Sequence, residues 1–265
     1  MNDVIKRLLK QTLKPFDIGI TSYEYLQHLI ESCNVGESKV DEEIDLLLTI
    51  PDEHLRLALS LFKKSKSQLR QDLFVLSELG FKRNGFFVEF GATNGIDLSN
   101  TFLLENDFGW KGILAEPAKC WHNDLHNNRK CWIDTACVWS KSDSTVTFAE
   151  ADLPELSTIN SCGSGDHFHR ARKKGKTYEV NTISLLTLLD KYGVAKDLDY
   201  LSIDTEGSEF EILSNFDFKT YNFRVITCEH NFTPAREKIY QLLTSQGYIR
   251  KFEEMSRFDD WYVKT

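Results

Sequence analysis

Three stretches of this chain end an apolar run in acids. VEFGATNG (88–95) carries Glu89 with Gly91 and Gly95 behind it. LDYLSIDTEGSEFEIL (198–213) carries Asp204, Glu206 and Glu209, and FRVITCEH (223–230) ends in Glu229 and His230 before Asn231. Gly91 lets the backbone turn sharply and come close to a ligand. Gly95 eases packing at the next helix, whose first turn offers unpaired amides. The spacing is GxxxG rather than GxGxxG, so the diphosphate fingerprint is incomplete. Glu89 would repel a diphosphate but suits a cationic or amine-bearing ligand. Glu116, which ends GILAEP (112–117) roughly 20 residues after Gly95, is placed where an acid can hold ribose hydroxyls. Such a pair of acids suits S-adenosylmethionine (SAM) better than a dinucleotide. A dinucleotide and a purely structural turn both stay open.

The acids of DTEGSE can simply cap the following helix. Their crowding argues for more, because like charges cost free energy unless a proton or cation intervenes. Carboxylates and an imidazole from neighbouring strand ends can hold a divalent cation such as Mg²⁺.

These residues need a frame. FFVEF, GILAEP, CWIDTACVW, STVTFAE, LDYLSID and FRVITCEH read as strands. LSNTFLLENDF, WHNDLHNN, the segment from Ser184 to Gly193, SEFEILSNF and PAREKIYQLLTSQG read as helices. The alternation predicts a mostly parallel, doubly wound α/β sheet of Rossmann-like type. YIRKFEE and WYVK predict a closing antiparallel hairpin. Ligands of such sheets sit at the carboxyl ends of the strands, where all three acidic stretches lie. Residues 1–66 read as a helical N-terminal extension, and residues 67–265 as the main domain. YEYLQHLIESC, IDLLLTI and HLRLALSLFKK carry the helical pattern. The extension packs on the main domain or mediates a homo-oligomer.

The chain has 265 residues, 41% of them hydrophobic, enough for one sizeable core. Its net charge of −8 argues against a nucleic-acid binder, whose affinity comes largely from neutralising phosphates. The 6 cysteines form no CxxC pair, so reduced thiols and a cytoplasmic location are expected rather than a disulfide framework or cysteine zinc site. No apolar run is long enough to span a bilayer.

GFFVEFGATNG, SNTFLLE, WKGILAEP and LDYLSIDTEGSEFEIL, in this order, resemble the FkbM family of SAM-dependent methyltransferases. SQLRQDLFVL is similar to the lead-in segment of many members. The resemblance runs from about Ser67 to the C-terminus. It implies the class I methyltransferase fold, a seven-stranded sheet ending in an antiparallel strand, and methyl transfer to an oxygen. It maps Glu89, Gly91 and Gly95 onto the methionine end of SAM and Glu116 onto the ribose. Asn94 lies in the same turn, Gln71 and Asp72 reach in from the lead-in, and Asn100 and Thr101 cap a helix or line the pocket. Asp134, Ala136 and Cys137 are the adenine-side candidates.

A more distant similarity, to metal-dependent sugar O-methyltransferases, implies Asp204 as a metal ligand and Glu206 as base. Glu229 and His230 complete that metal site, with His230 a second candidate for the base. This chain has Glu-His where paired aspartates are expected. The expected acceptor is a small molecule or glycan bearing a sugar hydroxyl. A basic loop within Ser157–Tyr178 (His167, His169, Arg170, Arg172, Lys173, Lys174 and Lys176) suits an anionic one, or is merely solvated. A non-catalytic interaction module and a nicotinamide oxidoreductase are the competing readings.

Overall fold

The structure, a computed structural model, describes residues 37–162 and 175–265, with side chains in its first helix from Glu43 onward. YEYLQHLIESC and the loop residues His167, His169, Arg170, Arg172, Lys173 and Lys174 lie outside the described residues.

FFVEF is apolar but for Glu89 because it forms the buried centre of the sheet, with Phe87 in one core face and Val88 and Phe90 in the other. This strand, β1 (Phe86–Phe90), pairs in parallel with β2 (Lys111–Ala115) and β8 (Asp197–Ile203). Beyond β2 lies β3 (Trp132–Asp134), and beyond β8 lies β9 (Asn222–Glu229). The closing hairpin is β10 (Tyr248–Lys251) and β11 (Asp259–Lys264). β11 enters between β9 and β10 and runs antiparallel to both, giving the 7-stranded order β10-β11-β9-β8-β1-β2-β3.

Helices cover both faces. One core face joins α1 (Glu37–Thr49), α2 (Asp52–Leu61), α3 (Gln71–Glu78) and α4 (Phe102–Phe108) to Phe87, Tyr200 and Trp261. Leu46, Leu47, Ile50, Leu55 and Leu59 of the N-terminal helical region belong to this same cluster. α5 (His122–Asn128) follows β2 and adds Leu125. The opposite face takes α6 (Leu185–Tyr192), α7 (Glu209–Ser214) and α8 (Ala235–Ser245). α6 starts where its sequence signals put it: the Ser184 hydroxyl accepts from the Thr187 amide, and Gly193 ends it at φ +57°.

The frame departs from expectation around a second sheet. CWIDTACVW is not one strand. The Asp134 carboxylate accepts from the Ala136 amide at 3.0 Å, an Asx-type turn that breaks the run. β3 stays in the main sheet, while β4 (Cys137–Trp139) joins a 4-stranded sheet, β4-β7-β5-β6. There β5 is Thr145–Glu150, β6 is Thr158–Ile159 and β7 is Lys176–Ser184. β6 and the start of β7 occupy ends of the segment expected to be a polar loop. Phe148, Ile159 and Val180 give this sheet its own small core with Ala118 and Cys137.

Candidate active site

A cavity of about 300 Å³ opens at the carboxyl ends of β1, β2, β8 and β9, with residues of the second sheet along its other side. Gly91 turns the chain at the end of β1 with φ +79°. A Cβ there would stand 1.9 Å from the Asp204 carbonyl oxygen, so only glycine fits. The Asp204 amide in turn donates to the Phe90 carbonyl at 3.3 Å. The cofactor-type turn and the acidic turn thus touch through backbone.

Glu89 borders the cavity, yet its carboxylate is engaged by the following loop. It accepts from the Asn100 amide at 2.7 Å, from Ser99 Oγ at 3.0 Å and from the Thr101 hydroxyl. Its countercharge is Arg129, 3.8 Å away and 5% exposed. Arg129 also donates to the Gly95 carbonyl, Ser99 Oγ and Thr101 Oγ1, and pairs with Glu105. Composition gave no sign of this arginine's role, which depends on contacts some 30 positions away. The Gly95 site is filled by the Arg129 stem, and Asn94 spends its side-chain oxygen on the Ile96 and Asp97 amides. Neither Asn94 nor Gly95 lines the cavity.

Glu116 does line it. It accepts from the Thr93 amide at 3.3 Å and the Ala118 amide at 2.8 Å, and burial pushes its pKa up to about 7. Asn100 also faces the cavity, with a buried side-chain oxygen that has no hydrogen-bond partner. Thr101 is turned to Glu89 instead. Gln71 donates to Asp259 at 3.0 Å, and Asp72 accepts from Ser65 at 2.7 Å. Both are buried away from the cavity, and Gln68 reaches it in their place. On the adenine-side segment, Asp134 is held by Lys191, Tyr192 and the Ala136 amide. Neither Asp134 nor Ala136 lines the cavity, whereas Cys137 and Val138 do.

Across the cavity Asp204, Glu206 and Glu229 bring one carboxylate oxygen each within 4.8 Å of one another. Burial raises the Asp204 pKa to about 7, with further repulsion from Glu209, Asp259 and Glu89. Burial, then Asp204 and Glu206, push Glu229 well above the carboxylate range. One oxygen of Glu229 is buried without a hydrogen-bond partner. A cluster of oxygen donors with one donor unspent suits a hard divalent cation. Asn231 donates to Glu206 at 3.2 Å.

His230 does not join this cluster. Successive residues of a strand point to opposite faces, so Glu229 and His230 cannot both face the site. The His230 Nδ1 accepts from the Phe232 amide at 3.0 Å, and its Nε2 lies 3.7 Å from Asp260. Glu206 takes the place expected for His230. Glu209 caps its own turn, accepting from the Thr205 amide and hydroxyl and the Gly207 amide.

Read from β3 outward, the order β3-β2-β1-β8-β9-β11-β10, with an antiparallel strand inserted next to the last, defines a class I methyltransferase fold. Within that class the chain belongs to the FkbM methyltransferase family, whose domain model matches residues 89–250. Among solved structures, a methyltransferase FkbM from Methylobacillus flagellatus KT is similar at 10% identity and a TM-score of 0.45, over 85% of this chain. The alignment spans 59% of that protein's length. A precorrin-6y C5,15-methyltransferase from Geobacter metallireducens GS-15 is similar at 13% identity and a TM-score of 0.38, over 73% of this chain and 87% of that one. No curated protein matches the sequence. Among the described residues, no helix is long and apolar enough to cross a membrane.

Proposed function

We propose that the protein transfers the methyl group of SAM to a hydroxyl of a sugar or glycan-type acceptor. One observation carries the reading: a single cavity joins the β1–β2 edge, with Gly91 and Glu116, to the acids Asp204, Glu206 and Glu229. SAM on the β1–β2 side directs its methyl toward those acids. The acceptor oxygen forms a bond to the methyl carbon as the carbon–sulfur bond breaks. S-adenosylhomocysteine leaves with the bonding pair. A sugar hydroxyl is far too weak an acid to ionise at neutral pH, so its proton must go to a base during attack. Glu206, held by Asn231, is that base. Holding oxygen, carbon and sulfur in line is the protein's larger contribution.

Asp204 and Glu229 would hold a divalent cation such as Mg²⁺ beside Glu206. When bound, it supplies positive charge that lowers the pKa of an acceptor hydroxyl. The crowding of acids with one unspent oxygen on Glu229 supports this assignment.

Calorimetry with S-adenosylhomocysteine and a transfer assay over a panel of sugars and oligosaccharides test the reading. Asp204→Ala and Glu206→Gln should each lower transfer by about 100-fold or more. Affinity for S-adenosylhomocysteine should change little. Loss of that affinity in a folded Asp204→Ala protein would overturn the assignment. Full activity after exhaustive chelation would remove the cation. A thermal shift with NADH but not SAM would favour an oxidoreductase, and none with either would favour a non-catalytic module.

A further inference from the structure

The turn that carries Glu206 has an unusual backbone. Glu206 sits at φ +58° and Gly207 at φ +113°, and left-handed conformations persist in non-glycine residues only when neighbours over-determine them. From below, the Glu209 carboxylate takes the turn's donors: the Thr205 amide at 3.0 Å, the Gly207 amide at 3.0 Å and the Thr205 hydroxyl at 2.9 Å. From above, one hydroxyl takes its acceptors. Thr158 Oγ1 lies 3.0 Å from both the Thr205 and Glu206 carbonyl oxygens. Thr158 is 2% exposed and belongs to β6 of the second sheet. Gly207 passes the turn that follows β6 so closely that a Cβ would meet the Cys162 carbonyl at 3.1 Å.

The neighbours of Thr158 face the other way. Leu156, Ser157 and Ile159 line the cavity, while Thr158 is turned to the acidic turn. The Thr158 side chain therefore links the cavity wall to the acidic turn.

We propose that Thr158 is a positioning residue: through its hydroxyl the second sheet sets the backbone of Thr205 and Glu206, and with it the direction of the Glu206 carboxylate. An acceptor that presses on the 154–159 wall is thereby sensed at the base. This rests on Glu206 being the base.

The test compares Thr158→Val, which keeps the shape and loses the hydroxyl, with Thr158→Ser, which keeps the hydroxyl. Amide hydrogen exchange is followed on the full chain with S-adenosylhomocysteine bound. In Thr158→Val, exchange across 204–208 should rise about tenfold while β1 and β8 stay protected. Affinity for S-adenosylhomocysteine should stay within about twofold, and Thr158→Ser should restore protection. With a sugar that the wild type methylates, Thr158→Val should lower kcat by about tenfold or more and spare the KM for SAM. Unchanged exchange at 204–208 overturns the proposal, as does exchange raised equally across the main sheet, or no rescue by serine. Glu206→Gln is run alongside. Full transfer in Glu206→Gln with the expected exchange pattern would refute the base, not the clamp.

Discussion

Asp204 and Glu229 hold protons more tightly in the folded protein than in the unfolded chain, because burial and mutual repulsion disfavour their charged forms. Glu116 and Asp259, each raised to about 7 by burial, behave alike. The sign follows from linkage: a group whose folded pKa is raised makes stability fall as pH rises from its unfolded value toward its folded one. The melting temperature is expected to fall between about pH 4 and pH 7 from these groups. Asp204→Asn should flatten that slope and raise the melting temperature at pH 8 by about 3 °C or more. Thermal unfolding across pH checks it, and a slope unchanged by Asp204→Asn would count against it. Mg²⁺ at pH 8 should stabilise the wild type and not this variant. Glu116, Asp204 and Glu229 were legible in the sequence because each ends an apolar strand and precedes a turn, whereas Asp259 opens β11 and carries no such signal. His230 stands next to Glu229 in sequence yet turns to the Phe232 amide and Asp260, because successive residues leave a strand on opposite faces. Thr158 and Gln68 were not legible, since nothing in the local sequence distinguishes them from other polar residues.

At the scale of elements, the loop after β1 is held by the end of α5. Arg129 reaches from that helix end to Gly95, Ser99, Thr101 and Glu105, and balances Glu89. Removing one partner of a buried pair leaves an uncompensated charge and costs about 3–5 kcal/mol. Arg129→Met should destabilise the protein by that order in urea unfolding and weaken binding of S-adenosylhomocysteine. Adding Glu89→Gln should recover part of the loss, since the orphaned charge goes with it; an additive loss would exclude the coupling. The main sheet was legible from its buried strands and the helix signals between them. The second sheet was not. β6 has 2 residues, too few for periodicity, and β4 lies directly beyond the Asx turn that ends β3. Pairing makes both of them strands, β4 with β7 and β6 with β5.

For the molecule as a whole, the expected division at residue 66 cuts through a shared core. Leu46, Leu47, Ile50, Leu55 and Leu59 pack in one cluster with Phe74, Phe87 and Trp261, and Glu43 pairs with Arg70 at 2.9 Å. A chain starting at Ser67 should melt more than about 10 °C lower and bind hydrophobic dye, because that face of α3 is uncovered. Equal stability of the shortened and full chains would make residues 1–66 a separate unit after all. One contact at the centre of the sheet reaches further. The carbonyl of Asp204 occupies the space that any side chain at Gly91 would need. A chimera whose grafted cofactor turn brings a side chain to this position therefore drives it into the backbone of the acidic turn. A graft of either half of the site must keep glycine at position 91 or move both turns together.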